Sequence, residues 1–185
     1  MFMKLKNFIA LGLVAAPVAA FAGPALNGAG ATFPAPIYQR WFSDYARNTG
    51  NRVNYQSVGS GAGIRQFISG TVDFAASDEP ITPKDASQVK RGVVQFPAVG
   101  GTIAVAYNKP GCSLKLTQKQ LVGVFAGTVK DWKQLGCAAG PIAIVHRSDS
   151  SGTTYAFTST LKEFGGWSVG AAKAVNWPTG LGAKG

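Results

Sequence analysis

The hydrophobic positions of this chain alternate between the spacing of helices and the spacing of strands. Aromatic side chains recur at i, i+3, i+4 and i+7, which predicts an amphipathic helix, and they are Tyr38, Trp41, Phe42 and Tyr45. Four segments have the composition or alternation of strands, namely 53–58, 72–77, 103–107 and 142–145. Further helices are predicted to begin near three positions, Gly59, Thr117 and Thr153. Strands that alternate with helices predict an α/β fold with parallel strand pairs.

Residues 1–22 have the pattern of a signal peptide. Two lysines precede an apolar run over 8–16, and alanine stands at positions 20 and 22, where a signal peptidase reads small residues. A membrane-spanning helix is the alternative, but a span needs about 20 apolar residues. Pro17 and the shortness of the run oppose it. We therefore expect an exported protein.

Composition and charge narrow the class of partner. The 185 residues are 46% hydrophobic and 14% charged, which suits one domain or two small lobes and excludes a disordered chain. Lysine and arginine number 18 against 8 acidic residues, a net charge of +10, and this balance favours anionic partners. One His and two Cys exclude zinc clusters. In an exported protein we expect Cys112 and Cys137 to form a disulfide worth roughly 3 kcal/mol, the alternative being two buried thiols.

Three turns rich in glycine and hydroxyl groups precede predicted helices, at 31–33, 59–61 and 150–153. The first turn of a helix has free N–H groups and a partial positive charge, so it binds small oxyanions. Ordinary N-capping is the alternative for each turn taken alone. Three such turns in one basic, exported chain favour an anion site.

Three charged residues near these turns could take part in anion binding. The guanidinium of Arg147 suits two oxygens of a phosphate, and Asp149 either orients that guanidinium or caps the next helix. Asp78 follows the strand-like run 73–77. A carboxylate beside an anion is useful if the anion carries a proton, as phosphate does near neutral pH and sulfate does not. A surface Arg and a turn Asp are the plain alternatives.

The sequence does not match the specific motifs of common enzyme classes. The Gly28-x-Gly30 run has Phe33 where a dinucleotide fingerprint needs a third glycine, and no Walker-type loop is present. His146, Asp149 and Ser151 crowd into one local turn, whereas nucleophile and base normally come from separate loops. Basic residues do not cluster with aromatic ones, which opposes nucleic-acid binding. We expect no catalytic residues, cofactor or metal.

The sequence resembles the periplasmic phosphate-binding proteins of bacterial ABC-type phosphate importers, in order and over essentially the whole mature chain. The matching runs are GAGATFPAP at 28–36, NYQ at 54–56, VGSG at 58–61, VDFAASD at 72–78, RSDSSGT at 147–153, and a later run with 177–178, 180–182 and 184–185. The resemblance implies a two-lobed periplasmic-binding-protein (type II) fold that closes by a hinge over a dry phosphate. It also implies a monomer that binds inorganic phosphate and the permease subunits of an ABC transporter, without nucleic acid.

Carried over by position, the family's phosphate contacts fall on eight residues: Thr32, Phe33 through its N–H, Ser60, Asp78, Arg147, Ser151, Gly152 and Thr153. Asp149 matches the residue that braces the arginine. Gly61 stands where some relatives have a second serine.

The resemblance also predicts the organisation of the chain. A signal peptide over 1–22 precedes a first lobe over 23–99 and a second lobe over 100–185. Family members continue past the matching run and complete the first lobe there, so we expect a C-terminally incomplete chain with a partial first lobe. The leading hypothesis is a non-enzymatic phosphate receptor in the periplasm. The alternatives are a secreted phosphate-ester hydrolase that uses the same anion cradle, and a surface protein that binds polyanions through its positive charge.

Overall fold

The computed structural model describes residues 25–177 and 181–183 and has an α/β architecture. In chain order its elements are β1 (Leu26–Gly30), α1 (Ala35–Thr49), β2 (Val53–Ser57), α2 (Ser60–Ser69), β3 (Phe74–Ala76), α3 (Pro83–Ala86), α4 (Gln118–Phe125), a 3-10 helix (Trp132–Leu135), β4 (Val145–Arg147), α5 (Gly152–Phe164) and β5 (Leu181–Ala183). Within these residues no helix has the length and apolar character needed to cross a membrane.

The elements fall into two groups around two sheets. We call β1, β2 and β3 with α1, α2 and α3 the first lobe, and β4 and β5 with α4 and α5 the second lobe. The lobe limits 23–99 and 100–185 remain predictions. The predicted signal peptide over 1–22 lies outside the described residues.

A three-stranded parallel sheet forms the first lobe, in the order β2-β1-β3. Parallel neighbours need crossover connections, and α1 and α2 lie in those connections. Hydrophobic spacing does not predict the central strand β1, whose sequence LNGAG consists mostly of small residues. These small residues permit close packing. A Cβ on Gly28 would meet the Phe74 ring at 2.1 Å, and one on Gly63 of α2 would meet the Gly30 Cα at 2.4 Å.

Helix α1 confirms the prediction from aromatic spacing. It ends at Gly50, whose φ of +74° is in the left-handed region that terminates helices. Tyr38 packs edge-on against Tyr55 of β2, with ring centroids 5.2 Å apart, and Phe42 lies 6.0 Å from Phe74 of β3. One aromatic face of α1 therefore covers the sheet.

The second lobe contains the parallel pair β4-β5 and the packed helices α4 and α5. Its core is a cluster of three buried side chains, Val122, Leu161 and Trp167. Thr117 begins α4 with a capping box, in agreement with the predicted helix start. A disulfide joins Cys112 and Cys137, which confirms the predicted pairing.

Two predicted strands differ in the structure. Strand β4 begins at Val145 and does not span 142–145, because the residues that pair with β5 are those from Val145 onward. Ile142 and Ile144 are nevertheless buried, so their hydrophobicity reflects packing and not strand pairing. The run 103–107 forms no strand among the described residues, where no neighbouring strand pairs with it, and its apolar side chains are exposed.

Candidate anion-binding site

The predicted site residues lie where strands end. Strands β1, β2 and β3 lead at their carboxyl ends into the turns that carry Thr32, Ser60 and Asp78. Because these strands are parallel, those ends meet at one edge of the sheet, the usual ligand position in such folds. The loop between β4 and α5 contacts the same edge from the second lobe, since Gly61 N donates to Ser150 O at 3.1 Å.

Arg147 reaches from the second lobe to the first. Its Nη1 donates to Thr32 Oγ1 at 3.2 Å, and its Nε donates to Asp149 Oδ1 at 2.6 Å. Its Nη2 pairs with the other Asp149 oxygen, so the carboxylate holds the guanidinium at two points. Of the two alternatives for Asp149, orientation of Arg147 is the one that the geometry matches, because Ser151 caps α5.

Asp78 lies against the amino end of α5. The hydroxyl of Thr153 donates to Asp78 Oδ2 at 2.9 Å, and the Thr153 backbone N–H donates as well. Burial raises the pKa of the Asp78 carboxyl, while the Thr153 hydrogen bonds and the charge of Arg147 oppose that rise. The carboxyl therefore holds a proton at a higher pH than an ordinary aspartic acid does.

Ser60 connects the turns of both lobes. Its Oγ accepts hydrogen bonds from Gly152 N at 3.2 Å and from Asp78 N at 3.3 Å. The residue is 1% exposed, so both bonds are shielded from water. As the first residue of α2, Ser60 also places the positive end of that helix at the site.

The side chains of Ser151 and Phe33 do not join the hydrogen bonds between the two lobes described above. The Ser151 hydroxyl accepts from Thr154 N at 3.2 Å, which is the capping role that the sequence left open for it. The Phe33 side chain is half-exposed, and a Cβ on Gly101 would meet its ring at 2.7 Å. The predicted contribution of Phe33 to anion binding therefore depends on its backbone N–H.

Two glycines make the close contact between the lobes possible. A Cβ on Gly152 would lie 2.4 Å from Ser60 Oγ and 2.8 Å from Asp78 Cβ. Gly59 has a φ of +88°, and a Cβ there would lie 2.6 Å from Asp149 Oδ2. Larger residues at either position would separate the turns that carry the predicted contacts.

Side-chain charge is not what would attract an anion here. Two carboxylates accompany the single guanidinium of Arg147 among the predicted site residues, namely Asp78, a predicted contact, and Asp149, the predicted brace of the arginine. The favourable potential comes from the amino ends of α2 and α5 and from hydroxyl and amide donors. Phe33, Asp78 and Thr153 also line a groove of about 1120 Å³, which gives solvent access to the site.

Sequence reasoning missed an ion pair beside the site. Glu79 is 3% exposed, and Lys173 Nζ lies 2.5 Å from its Oε1. Burial raises the pKa of the Glu79 carboxyl, and the ammonium of Lys173 opposes that rise. The adjacency of Glu79 to Asp78 was the available signal, but nothing local in the sequence indicates Lys173 as its partner.

The chain is similar to known proteins both in sequence and in structure. A family model described as "PBP superfamily domain" matches residues 16–183. The Phosphate-binding protein PstS of Haemophilus influenzae is 44% identical over an alignment that covers 99% of this chain and 58% of that protein. The Phosphate-binding protein PstS of Pasteurella multocida is 44% identical over 86% of this chain and 50% of that protein. The chain thus spans about half the length of the curated relatives that it matches.

Solved structures show the same fold. An ABC-type phosphate transport receptor from Vibrio cholerae superposes with a TM-score of 0.61 at 24% identity, over 88% of this chain and 64% of that one. A putative phosphate ABC transporter substrate-binding protein from Clostridium perfringens, solved with bound phosphate, gives a TM-score of 0.58 at 22% identity, over 74% of this chain and 55% of that one.

Proposed function

Because the chain belongs to the PBP superfamily, we propose that it captures inorganic phosphate outside the cytoplasm and delivers it to the permease of an ABC transporter. The observation that carries the proposal is the meeting of Thr32, Ser60, Asp78, Arg147 and the amino end of α5 at one edge of the sheet. The relatives by sequence and by structure are named for the same anion. The ABC transporter partner is supported by the names of two structural neighbours, a phosphate transport receptor and a substrate-binding protein of phosphate ABC transporters. The periplasmic location and the monomeric state stay predictions from the family resemblance.

Phosphate binds through donors from both lobes. Arg147 supplies a charged, planar pair of N–H groups, and its direction is held by Asp149. Thr32, Ser60 and Thr153 supply hydroxyl groups, and the first turns of α2 and α5 supply backbone N–H groups. Hydrogen bonds to a charged group contribute about 1.5–3 kcal/mol each, so a few of them suffice without excess positive charge.

Asp78 selects for an anion that carries a proton. Its carboxylate accepts a hydrogen bond from a protonated phosphate oxygen, whereas fully ionised sulfate offers only acceptors. Sulfate therefore loses one hydrogen bond and meets repulsion from the carboxylate. The missing charged hydrogen bond alone corresponds to roughly 10- to 150-fold in affinity.

Binding is coupled to the contact between the lobes. Arg147 with Thr32, Gly152 with Ser60, and Thr153 with Asp78 form hydrogen bonds across the lobes. Phosphate oxygens replace these partners, so the anion is held only when both lobes approach it. Closure also excludes water, which strengthens the electrostatic part of each bond.

The hydrolase alternative gains no support from the site. Ser151 Oγ is engaged as the cap of α5. The His146 ring packs against Trp177, with centroids 5.7 Å apart, and its Nδ1 lies 2.9 Å from the Arg147 carbonyl oxygen. Serine and histidine are therefore not arranged as nucleophile and base.

Isothermal titration calorimetry of the purified protein with phosphate, and with phosphate in the presence of excess sulfate, tests the proposal. We expect saturable binding of one phosphate that sulfate displaces poorly. Arg147→Ala should greatly weaken binding, because both charged donors and the contact to Thr32 are lost. Arg40→Ala is the matched control, since Arg40 is exposed and pairs with Asp44 on the outside of α1.

Two results would contradict the proposal. One is equal affinity for sulfate and phosphate. The other is binding to polyanions that falls steeply with salt and is unaffected by phosphate, as expected for a surface governed by net charge. Turnover of a chromogenic phosphate ester that is lost in Ser151→Ala would favour the hydrolase instead.

A further inference from the structure

An ion pair between a buried carboxylate and a partly exposed ammonium connects the two lobes beside the predicted phosphate contacts. Glu79 directly follows Asp78, and only 2% of its side chain is exposed. Lys173 Nζ lies 2.5 Å from Glu79 Oε1, and the Lys173 carbonyl accepts from Ser151 N at 2.9 Å. Glu79 is the sequence neighbour of Asp78, and Lys173 is the hydrogen-bond partner of Ser151. The ion pair therefore joins the loop that carries Asp78 to the loop that carries Ser151.

Each partner is fixed to its own lobe by separate bonds. In the first lobe, Glu79 N donates to Ser77 Oγ at 3.1 Å, and Gln95 Nε2 donates to the Glu79 carbonyl at 2.9 Å. In the second lobe, Ala172 N donates at 2.9 Å to Oγ1 of Thr158, which is 0% exposed and belongs to α5. The distance between the two charges therefore follows the relative position of the lobes.

The ion pair differs from the other side-chain contacts between the lobes that involve the site. Those contacts use Thr32, Ser60, Asp78 and Arg147, which are the groups that phosphate engages in the proposed function. Glu79 and Lys173 are not among those groups, so their pairing is compatible with a bound anion. The pair can stabilise the closed form without competing with phosphate for donors.

On the basis of the proposed function, we propose that the Glu79–Lys173 ion pair is a latch between the lobes that slows phosphate release. Both charges gain water when the lobes separate and lose it when the lobes close. A buried charge without its partner is strongly unfavourable, so loss of either partner shifts the balance toward the open form. Neither residue needs to touch the anion.

The latch predicts that the loss of Lys173 and the loss of Glu79 raise the rate of phosphate release by different amounts. Lys173→Met leaves the Glu79 carboxylate buried without its partner, whereas Glu79→Gln leaves an ammonium that is 27% exposed and can still reach water. Lys173→Met should therefore have the larger effect. The double variant removes both charges, so it should release phosphate more slowly than Lys173→Met alone.

A purely electrostatic role predicts the opposite sign for one variant. If Glu79 and Lys173 acted only through their charge on the nearby anion, Glu79→Gln would remove a negative charge and tighten phosphate binding. The latch predicts that Glu79→Gln binds phosphate more weakly, because its dissociation rate is higher. The sign of the Glu79→Gln effect thus separates the two explanations.

The experiment is stopped-flow measurement of phosphate association and release for the parent, Glu79→Gln, Lys173→Met and the double variant. Arg40→Gln is the control, because it removes one charge of an exposed ion pair on α1, Arg40 with Asp44, that includes none of the predicted phosphate contacts. We expect Lys173→Met to raise the release rate about tenfold or more, with Glu79→Gln smaller and association little changed. Thermal unfolding identifies any variant that does not fold. If Lys173→Met does not fold, the release rate of Glu79→Gln is compared with that of Arg40→Gln to test the latch.

The outcomes separate the latch from the proposed function. A parent protein that does not bind phosphate overturns the proposed function and the latch with it. A parent that binds phosphate, with Glu79→Gln releasing it at the parent rate or binding it more tightly, overturns the latch alone. Faster release in both single variants, partly reversed in the double variant, supports the latch.

Discussion

Replacement of Gly152 by alanine should separate the two lobes at the predicted phosphate contacts. The new Cβ would lie 2.4 Å from Ser60 Oγ, 2.8 Å from Asp78 Cβ and 2.9 Å from Asp78 N. The serine hydroxyl can rotate away, but the backbone of Asp78 cannot. Ordinary contact begins at 3.4 Å, so Asp78 N must withdraw by about 0.5 Å.

A withdrawal of this size weakens the hydrogen bonds that cross between the lobes. The Thr153–Asp78 bond of 2.9 Å and the Gly152–Ser60 bond of 3.2 Å would both reach or pass the limit of a useful hydrogen bond. The first involves a charged acceptor and is worth about 1.5–3 kcal/mol, and the second about 0.5–1.5 kcal/mol. In the proposed complex phosphate replaces these partners, and its bonds to the same groups of the two separated turns lengthen by the same amount. We therefore expect a loss of about 2–4.5 kcal/mol, or roughly 30- to 2,000-fold in phosphate affinity.

Calorimetric titration of Gly152→Ala with phosphate measures this loss. Gly100→Ala is the matched control, since a Cβ at Gly100 meets no heavy atom within 4 Å. Thermal unfolding of both variants checks that the fold is kept. A folded Gly152→Ala protein whose phosphate affinity equals that of Gly100→Ala would refute the reasoning, because the close contact at Gly152 would then be irrelevant to binding.

Three further predictions concern Asp78 and the disulfide. Asp78→Asn should reduce the preference for phosphate over sulfate, since an amide donates where the carboxylate accepts; an unchanged ratio in competition calorimetry would count against this role. Burial raises the pKa of Asp78, so in the parent protein the preference for phosphate over sulfate should become smaller as the pH falls. This decrease should begin above the ordinary pKa of an aspartic acid, about 3.9. In Asp78→Asn the preference should change only through the titration of phosphate itself. Cys112→Ser combined with Cys137→Ser should lower the free energy of unfolding by about 3 kcal/mol in urea and leave phosphate affinity unchanged; an unshifted urea midpoint would show that the disulfide does not stabilise the fold.

The candidate site was largely predictable because its signals are local. A hydroxyl or glycine turn before a helix is visible within a few residues, and this pattern indicated the turns of Thr32, Ser60 and Ser151. The roles considered for Asp78 and Arg147 came from residue chemistry and from the family resemblance. The structure brings these residues into mutual contact, and their binding of phosphate stays a prediction.

Strand β1 was not predictable from hydrophobic spacing. Its sequence LNGAG has no alternation of large apolar and polar residues. It becomes a central strand because its neighbours cover it, with the Phe74 ring over Gly28 and α2 close to Gly30. The predicted strand over 103–107 failed for the related reason that strand formation needs a partner as well as β-prone residues.

The sequence by itself determined the α/β class, the approximate starts of α2, α4 and α5, the one pair of cysteines able to form a disulfide, and the residue types suited to an oxyanion. Each of these depends on short-range spacing or on a small number of candidates. The sequence did not indicate α3 or the 3-10 helix. Only the tertiary structure decided that the carboxyl ends of β1, β2 and β3 face the amino end of α5, and that Glu79 pairs with Lys173. These contacts join residues far apart in the chain, so they follow from the order of strands in the sheet and the position of one lobe on the other.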